Sequence, residues 1–181
     1  MALTATLYHF DVALSHVDRG VYEALAIKAA CHPSESEDYL LTRVLAYCLE
    51  YTDGIAFSKG GISDPDDPAL MIKDLTGAWR KWIEIGAPDA ARLHSASKAS
   101  PRVALYTHKD PRTLFRGYEG VKIHKAEQIE VFAMDRELLV ALSTHLGRRN
   151  SWALSVMDGT LYVEVGGESY SGVLERLSLP A

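Results

Sequence analysis

The sequence predicts a mixed α+β (α/β) chain: a mixed β-sheet flanked by helices, ending in a β-hairpin. Three stretches predict it. Residues 68–107 (PALMIKDLTGAWRKWIEIGAPDAARLHSASKASPRVALYT) read as strand, turn, strand, helix, strand. The short connections from strand through helix to strand imply a right-handed parallel crossover. Upstream, Leu40, Leu41, Val44, Leu45, Cys48 and Leu49 recur at three- and four-residue spacing, which makes one apolar helix face. Near the end, Asp158-Gly159 separates two alternating runs and marks a type I′ hairpin turn.

Size and composition fit that class. A chain of 181 residues is expected to form one domain, residues 1–181, and to bury roughly 70% of its unfolded surface. Hydrophobic content of 48% and charged content of 24% are ordinary for a globular protein. No apolar run approaches the roughly 20 residues that span a bilayer. The opening MALTATLYHF has neither the basic nor the apolar segment of a secretory leader. Cys31 and Cys48 lack metal or redox spacing, so buried reduced thiols and a cytoplasmic setting are expected. A general nucleic-acid binder carries a basic surplus; the net charge here is −5, so any contact with nucleic acid has to rest on a local patch.

Taken in order, residues 3–14 alternate in two phases, Leu3, Ala5, Leu7 and then Phe10, Val12, Leu14. A long strand with a bulge at Tyr8-His9 follows from that slip. Asp18 is placed to cap a helix reaching Ala30. The next helix opens on a capping box, with Ser34 as cap and Glu37 reaching back, and Asp53-Gly54 ends it. Residues 55–58 are a short strand and 59–68 (KGGISDPDDP) a surface loop. Asp74 ends a strand, Thr76-Gly77 turns, and Arg80, Trp82, Glu84 and Gly86 share one face of the returning strand. Pro88-Asp89 opens a helix to Ala99, and residues 102–107 are an apolar strand. Residues 109–120 read as a loop, with strands at 121–123 and 129–133. Asp135 caps a helix with Leu138, Leu139, Leu142 and Leu146 inward, closed by Gly147. Strands 152–157 and 160–165 form the hairpin, Gly166-Gly167 breaks it, and an edge strand or tail completes the chain.

Several chemistries have no residues to carry them. There is no glycine-rich phosphate loop and no GxSxG elbow. The seven histidines form no HxH or HxxxH pair, which removes the usual zinc spacing. Asp64, Asp66 and Asp67 lack the glycine and glutamate that an EF-hand needs. Two carboxylates, Asp74 and Glu84, and Lys98 on the following helix make a pattern used by divalent-metal phosphodiesterases. A tight turn at Thr76-Gly77 would leave the two acids roughly 16 Å apart at about 3.3 Å per residue, so a shared metal needs a wider connection. Lys109, Arg112 and Arg116, interleaved with Phe115 and Tyr118, are the best local patch for phosphate and base contact.

His32-Pro33-Ser34-Glu35 before the long helix, Lys73-Asp74-Leu75-Thr76-Gly77, Trp82-Ile83-Glu84-Ile85-Gly86 with Pro88-Asp89, and Val103-Ala104-Leu105-Tyr106 together resemble the YaeQ family of small bacterial proteins. The resemblance covers essentially the whole chain. It implies a variant of the PD-(D/E)XK restriction-endonuclease-like fold. Carried over by motif, Glu35 looks like the acid of the first core helix, Asp74 the strand aspartate, and Glu84 the acid of the (D/E)XK element. The lysine of that element is replaced by Gly86, which nominates Lys98 on the next helix. The resemblance then implies one Mg²⁺ held by Asp74 and Glu84, with Glu35 binding a metal water and Lys98 orienting the nucleophile.

Two functional readings leave the sequence. One is a metal-dependent nuclease. The other is a nuclease-like scaffold whose acids are structural and which binds nucleic acid, through Lys109, Arg112 and Arg116, or a protein of the transcription machinery.

Overall fold

The computed structural model describes residues 4–59 and 66–180. In chain order it begins with β1 (Thr6–His16), β2 (Val21–Cys31), α1 (Glu37–Leu49), β3 (Ile55–Phe57), β4 (Leu70–Lys73) and β5 (Trp79–Ile85). Next come α2 (Ala90–Ala99), β6 (Val103–Thr107), α3 (Pro111–Arg116), β7 (Glu130–Ala133) and α4 (Arg136–Thr144). The chain ends with β8 (Arg149–Met157), β9 (Thr160–Val165), β10 (Glu168–Val173) and β11 (Glu175–Leu177). The strands form two mixed sheets, ordered β10-β9-β8-β1-β2 and β11-β7-β6-β5-β4-β3. The mixed α+β class therefore stands, with two sheets in place of the single one expected. No helix among the described residues is long and apolar enough to cross a membrane.

The chain divides into two compact units, residues 1–51 with 134–175, and residues 52–133 with 176–181. In the first unit, β1 and β2 pair over their whole length from Thr6↔Cys31 to His16↔Val21, and β1 runs parallel to β8. The helix expected at residues 18–30 is thus a strand. Leu25, Ile27 and Ala29 are buried while Ala24, Ala26 and Lys28 face solvent, and period-two burial overrides the helix propensity of alanine. Gly20, at φ +66°, makes the left-handed residue of the β1–β2 turn. Asp18 caps a turn rather than a helix. Its carboxylate accepts the N–H groups of Asp158 and Gly159 at 2.8 and 3.0 Å, and these bonds hold its pKa below the ordinary value.

The bulge expected at Tyr8-His9 is absent, since β1 pairs with β2 without a break. A register shift is found instead between β4 and β5, at Ile72/Lys73. The cap of α1 is Ser36, which accepts the Tyr39 N–H at 3.1 Å; Ser34 meets the His32 ring. Leu40, Leu41, Val44 and Leu45 of α1 are fully buried, and α1 packs on α4 and β2. Phe10 meets Trp152 edge-on at 5.0 Å. Cys48 is buried and free, and burial pushes its thiol up to about 12; Cys31 is free and half-buried.

In the second unit β3, β4 and β5 are antiparallel and β5, β6 and β7 parallel. The parallel crossover β5-α2-β6 is the one that the short connections predict. β5 and β6 are buried on both faces, as parallel strands under helices must be. Asp89 caps α2 through the Arg92 N–H at 2.8 Å, and Leu93 and Ala96 point inward. The strand expected at residues 121–123 is loop, in which the His124 N–H bonds the His94 ring.

A candidate site in the second sheet

β5 alternates, so Trp82 and Glu84 project to the same side and their side chains meet. The Trp82 indole N–H donates to Glu84 Oε1 at 2.6 Å. α2 then brings Arg92, whose Nε donates to the same oxygen at 2.9 Å. Arg92 also donates from Nη2 to the Asp67 carbonyl at 2.8 Å. The Glu84 side chain is 5% exposed and that of Arg92 22%. A buried carboxylate of this kind is stable only when paired and hydrogen-bonded, and here it is both.

Asp74 lies at the other end of the hairpin. Lys73 pairs with Trp79 and Leu70 with Ile83, and the Asp74 N–H bonds the Ala78 carbonyl. Five residues of strand then separate Asp74 from the level of Glu84, roughly 16 Å. The connection is a turn over residues 75–77 with Asp74 opposite Ala78, in place of the two-residue turn expected at Thr76-Gly77, and it still leaves the two acids too far apart to ligate one ion. One residue beyond the Leu70↔Ile83 pair stands Ala69, a side chain with no ligand atom. Asp74 spends its Oδ1 on its own turn, accepting the Thr76 hydroxyl at 2.6 Å and the N–H groups of Thr76 and Ala78 at 2.9 and 3.0 Å. The Thr76 hydroxyl and the Ala78 amide, with Arg80 nearby, hold its carboxyl below the usual range.

Lys98 is exposed in the last turn of α2. It stands six residues after Arg92, about 9 Å along the helix and on a different face. The cation that α2 presents to Glu84 is Arg92, a role that residue spacing does not signal. The shared face of Trp82 and Glu84 was readable by alternation; the docking angle of α2 was not.

Glu35, in the first unit, precedes α1 with its side chain 1% exposed and 3.3 Å from Arg43 Nη2. That Arg43 nitrogen also donates to the Ala30 carbonyl at 2.7 Å. Glu35 is thus held by a cation of the helix that follows it. Among the described residues, no group of three or more His, Cys, Asp and Glu side chains is placed to hold a metal ion.

The basic patch survives in part. Lys109, Arg112 and Arg116 are exposed around α3. Phe115 packs on the core and Tyr118 is buried, its hydroxyl donating to the Pro88 carbonyl at 2.7 Å. Burial, with the negative field of Asp89 and Glu84, pushes the Tyr118 phenol far up. The cations face solvent and the Tyr118 ring does not, so base stacking on Tyr118 is ruled out. Charge is divided unevenly along the chain: the second unit has 13 Lys and Arg against 11 Asp and Glu, the first 6 against 13.

Two mixed sheets, a carboxylate locked between indole and guanidinium, and a turn-bound aspartate define a small α+β protein built on the hairpin-helix-strand element β4-β5-α2-β6. The YaeQ family profile, described as YaeQ protein, matches residues 1–173, and the chain belongs to that family. The crystal structure of YaeQ protein from Pseudomonas syringae is similar, with 31% identity, 96% of each chain covered and a TM-score of 0.86. That from Xanthomonas axonopodis pv. citri is 26% identical with the same TM-score, covering 98% of this chain and 100% of its own. Protein YaeQ of Escherichia coli (strain K12) is 28% identical over 165 residues, 90% of each chain.

Proposed function

We propose that this chain is a PD-(D/E)XK-like scaffold that acts by binding nucleic acid rather than by hydrolysing it. The observation that carries this reading is the Trp82–Glu84–Arg92 contact. The acid that the nuclease pattern makes a metal ligand is buried, and a guanidinium stands where a second carboxylate or a cation would be needed. The separation of Asp74 from Glu84, and Ala69 beside the level of Glu84, support it.

Binding falls to the second unit, which has the basic surplus. Lys109, Arg112 and Arg116 offer solvent-facing charge to phosphates, a contact that positions a strand without reading its sequence. Three such contacts release few counterions, so binding is weak and its salt slope is shallow, about −2 to −3 on logarithmic axes.

The test is fluorescence anisotropy with labelled single- and double-stranded DNA and RNA, beside incubation of the same strands with Mg²⁺ or Mn²⁺. Uncut strands are expected, bound at low salt and released as salt rises. Substituting Lys109, Arg112 and Arg116 together by Ala should lower affinity and flatten the salt slope by about one unit per contact removed. Metal-dependent cutting that disappears in Glu84→Gln would restore the nuclease, and no binding at low salt would remove the nucleic-acid reading.

A further inference from the structure

The outer face of the first sheet is not covered by any helix of its unit. The registers place Tyr22, Ser15, Ser155, Tyr162 and Ser171 in one row across all five strands. The next row is Ala24, Ala13, Ala153, Glu164 and Ser169. The inner face is opposite in character, with Phe10, Val12, Leu154, Leu161 and Val163 buried. Five large apolar side chains project from the outer face: Leu7, Tyr22, Met157, Tyr162 and Val173, each between 45% and 61% exposed. Leu7 stands apart at the far end of β1, but Tyr22, Tyr162, Met157 and Val173 gather at one end of the face, and such a cluster marks an interaction surface.

The shape of that face is knob and hollow. Tyr22 on β2 and Tyr162 on β9 stand three strand spacings apart, about 14 Å. Between them β1 and β8 carry only Ser15, Ala13, Ser155 and Ala153. Two recesses, of about 390 and 470 Å³, are sunk beside this floor, both lined by Ala153, Glu164 and Ser169.

We propose that this face pairs with the same face of a second copy of the chain, forming a two-fold dimer. A two-fold interface must be complementary to itself, which requires projections and hollows on one patch. Here the tyrosines are the projections and the alanine-serine floor is the hollow. Charge agrees. The face carries two cations, Lys28 and Arg149, and two anions, Asp11 and Glu164, and is neutral. The unit around it has 6 basic against 13 acidic residues, so its net negative charge lies outside this face. Area agrees as well. Five strands at about 4.8 Å spacing and roughly 30 Å of length give about 700 Å² per copy, close to the roughly 800 Å² of a standard stable interface. Facing sheets pack about 10 Å apart with strands near −30°, an arrangement in which side chains interdigitate.

The proposal concerns the first unit and is independent of the nucleic-acid reading of the second. Sedimentation equilibrium over a dilution series up to about 100 μM should give twice the 19.9 kDa protomer mass at the upper end. Ala153→Arg fills the floor with a charge, and Tyr162→Ser removes a projection. Each should raise the dimer dissociation constant at least tenfold, with circular dichroism showing an intact fold. Leu75→Ser, an exposed apolar residue of the other unit, should leave it unchanged. A monomer mass throughout, or a dimer indifferent to both face substitutions, overturns the proposal.

Discussion

Arg92 Nε lies 2.9 Å from Glu84 Oε1, so the carboxylate that β5 buries has its counter-charge from α2. Removing Arg92 leaves the buried Glu84 carboxylate with the Trp82 N–H but without this counter-charge. Arg92→Met should therefore destabilise the protein by about 3 kcal/mol, read from urea unfolding. Adding Glu84→Gln to it should recover part of the loss, since the buried charge goes too. If instead Glu84 held a metal, Mg²⁺ would raise the melting temperature of the parent and not of Glu84→Gln.

The Asp74 turn is acid-sensitive in a defined direction. Hydrogen bonds from Thr76 and Ala78 and the charge of Arg80 favour the carboxylate, so its folded pKa lies below the ordinary 3.8. The stabilisation is fully present above the unfolded value and is lost as pH falls through the folded one. Amide exchange of Thr76 and Ala78 should accelerate below about pH 4, relative to its acid-catalysed baseline, while the core amides hold. In Asp74→Ala the same amides should exchange fast at every pH; unchanged protection would refute the assignment.

Glu35 and Arg43 make the corresponding pair in the first unit. Glu35→Ala leaves the Arg43 guanidinium with its bond to the Ala30 carbonyl but without its counter-charge. A loss of about 3 kcal/mol in urea unfolding is expected. Loss of a purely catalytic acid would leave stability unchanged, so the two roles separate in one experiment.

Gly172 lets β10 lie against α4. A Cβ there would sit 2.7 Å from the Asp135 Cβ and 3.0 Å from that of Leu138. Gly172→Ala should cost about 1–3 kcal/mol by overpacking, and β10 amides should lose protection before those of β8. An alanine variant as stable as its parent would show that β10 yields freely.

Much of the fold was readable because local signals and burial agreed. The caps at Asp89 and Asp135, the hairpin at Asp158-Gly159 and the crossover of α2 all formed where residue type predicts them. Residues 21–31 misled because alanine favours helix while Leu25, Ile27 and Ala29 also satisfy a period of two. The pairing of β2 with β1, distant information for any local window, decided between them. The candidate site was legible in its residue types and in the expected 16 Å separation, but not in its partners.

What the sequence alone determined is the inventory: two acids on one hairpin, no lysine after Glu84, an alternating β5 and a local cluster of cations at 109–116. Tertiary structure decided which of these meet. α2 docks so that Arg92, not Lys98, reaches Glu84, and β2 joins a sheet whose uncovered face gathers Tyr22 and Tyr162 from distant parts of the chain. The reason is physical. Spacing along a chain fixes the direction in which a side chain leaves its own element, whereas its partner is set by the packing of a second element that no local pattern encodes.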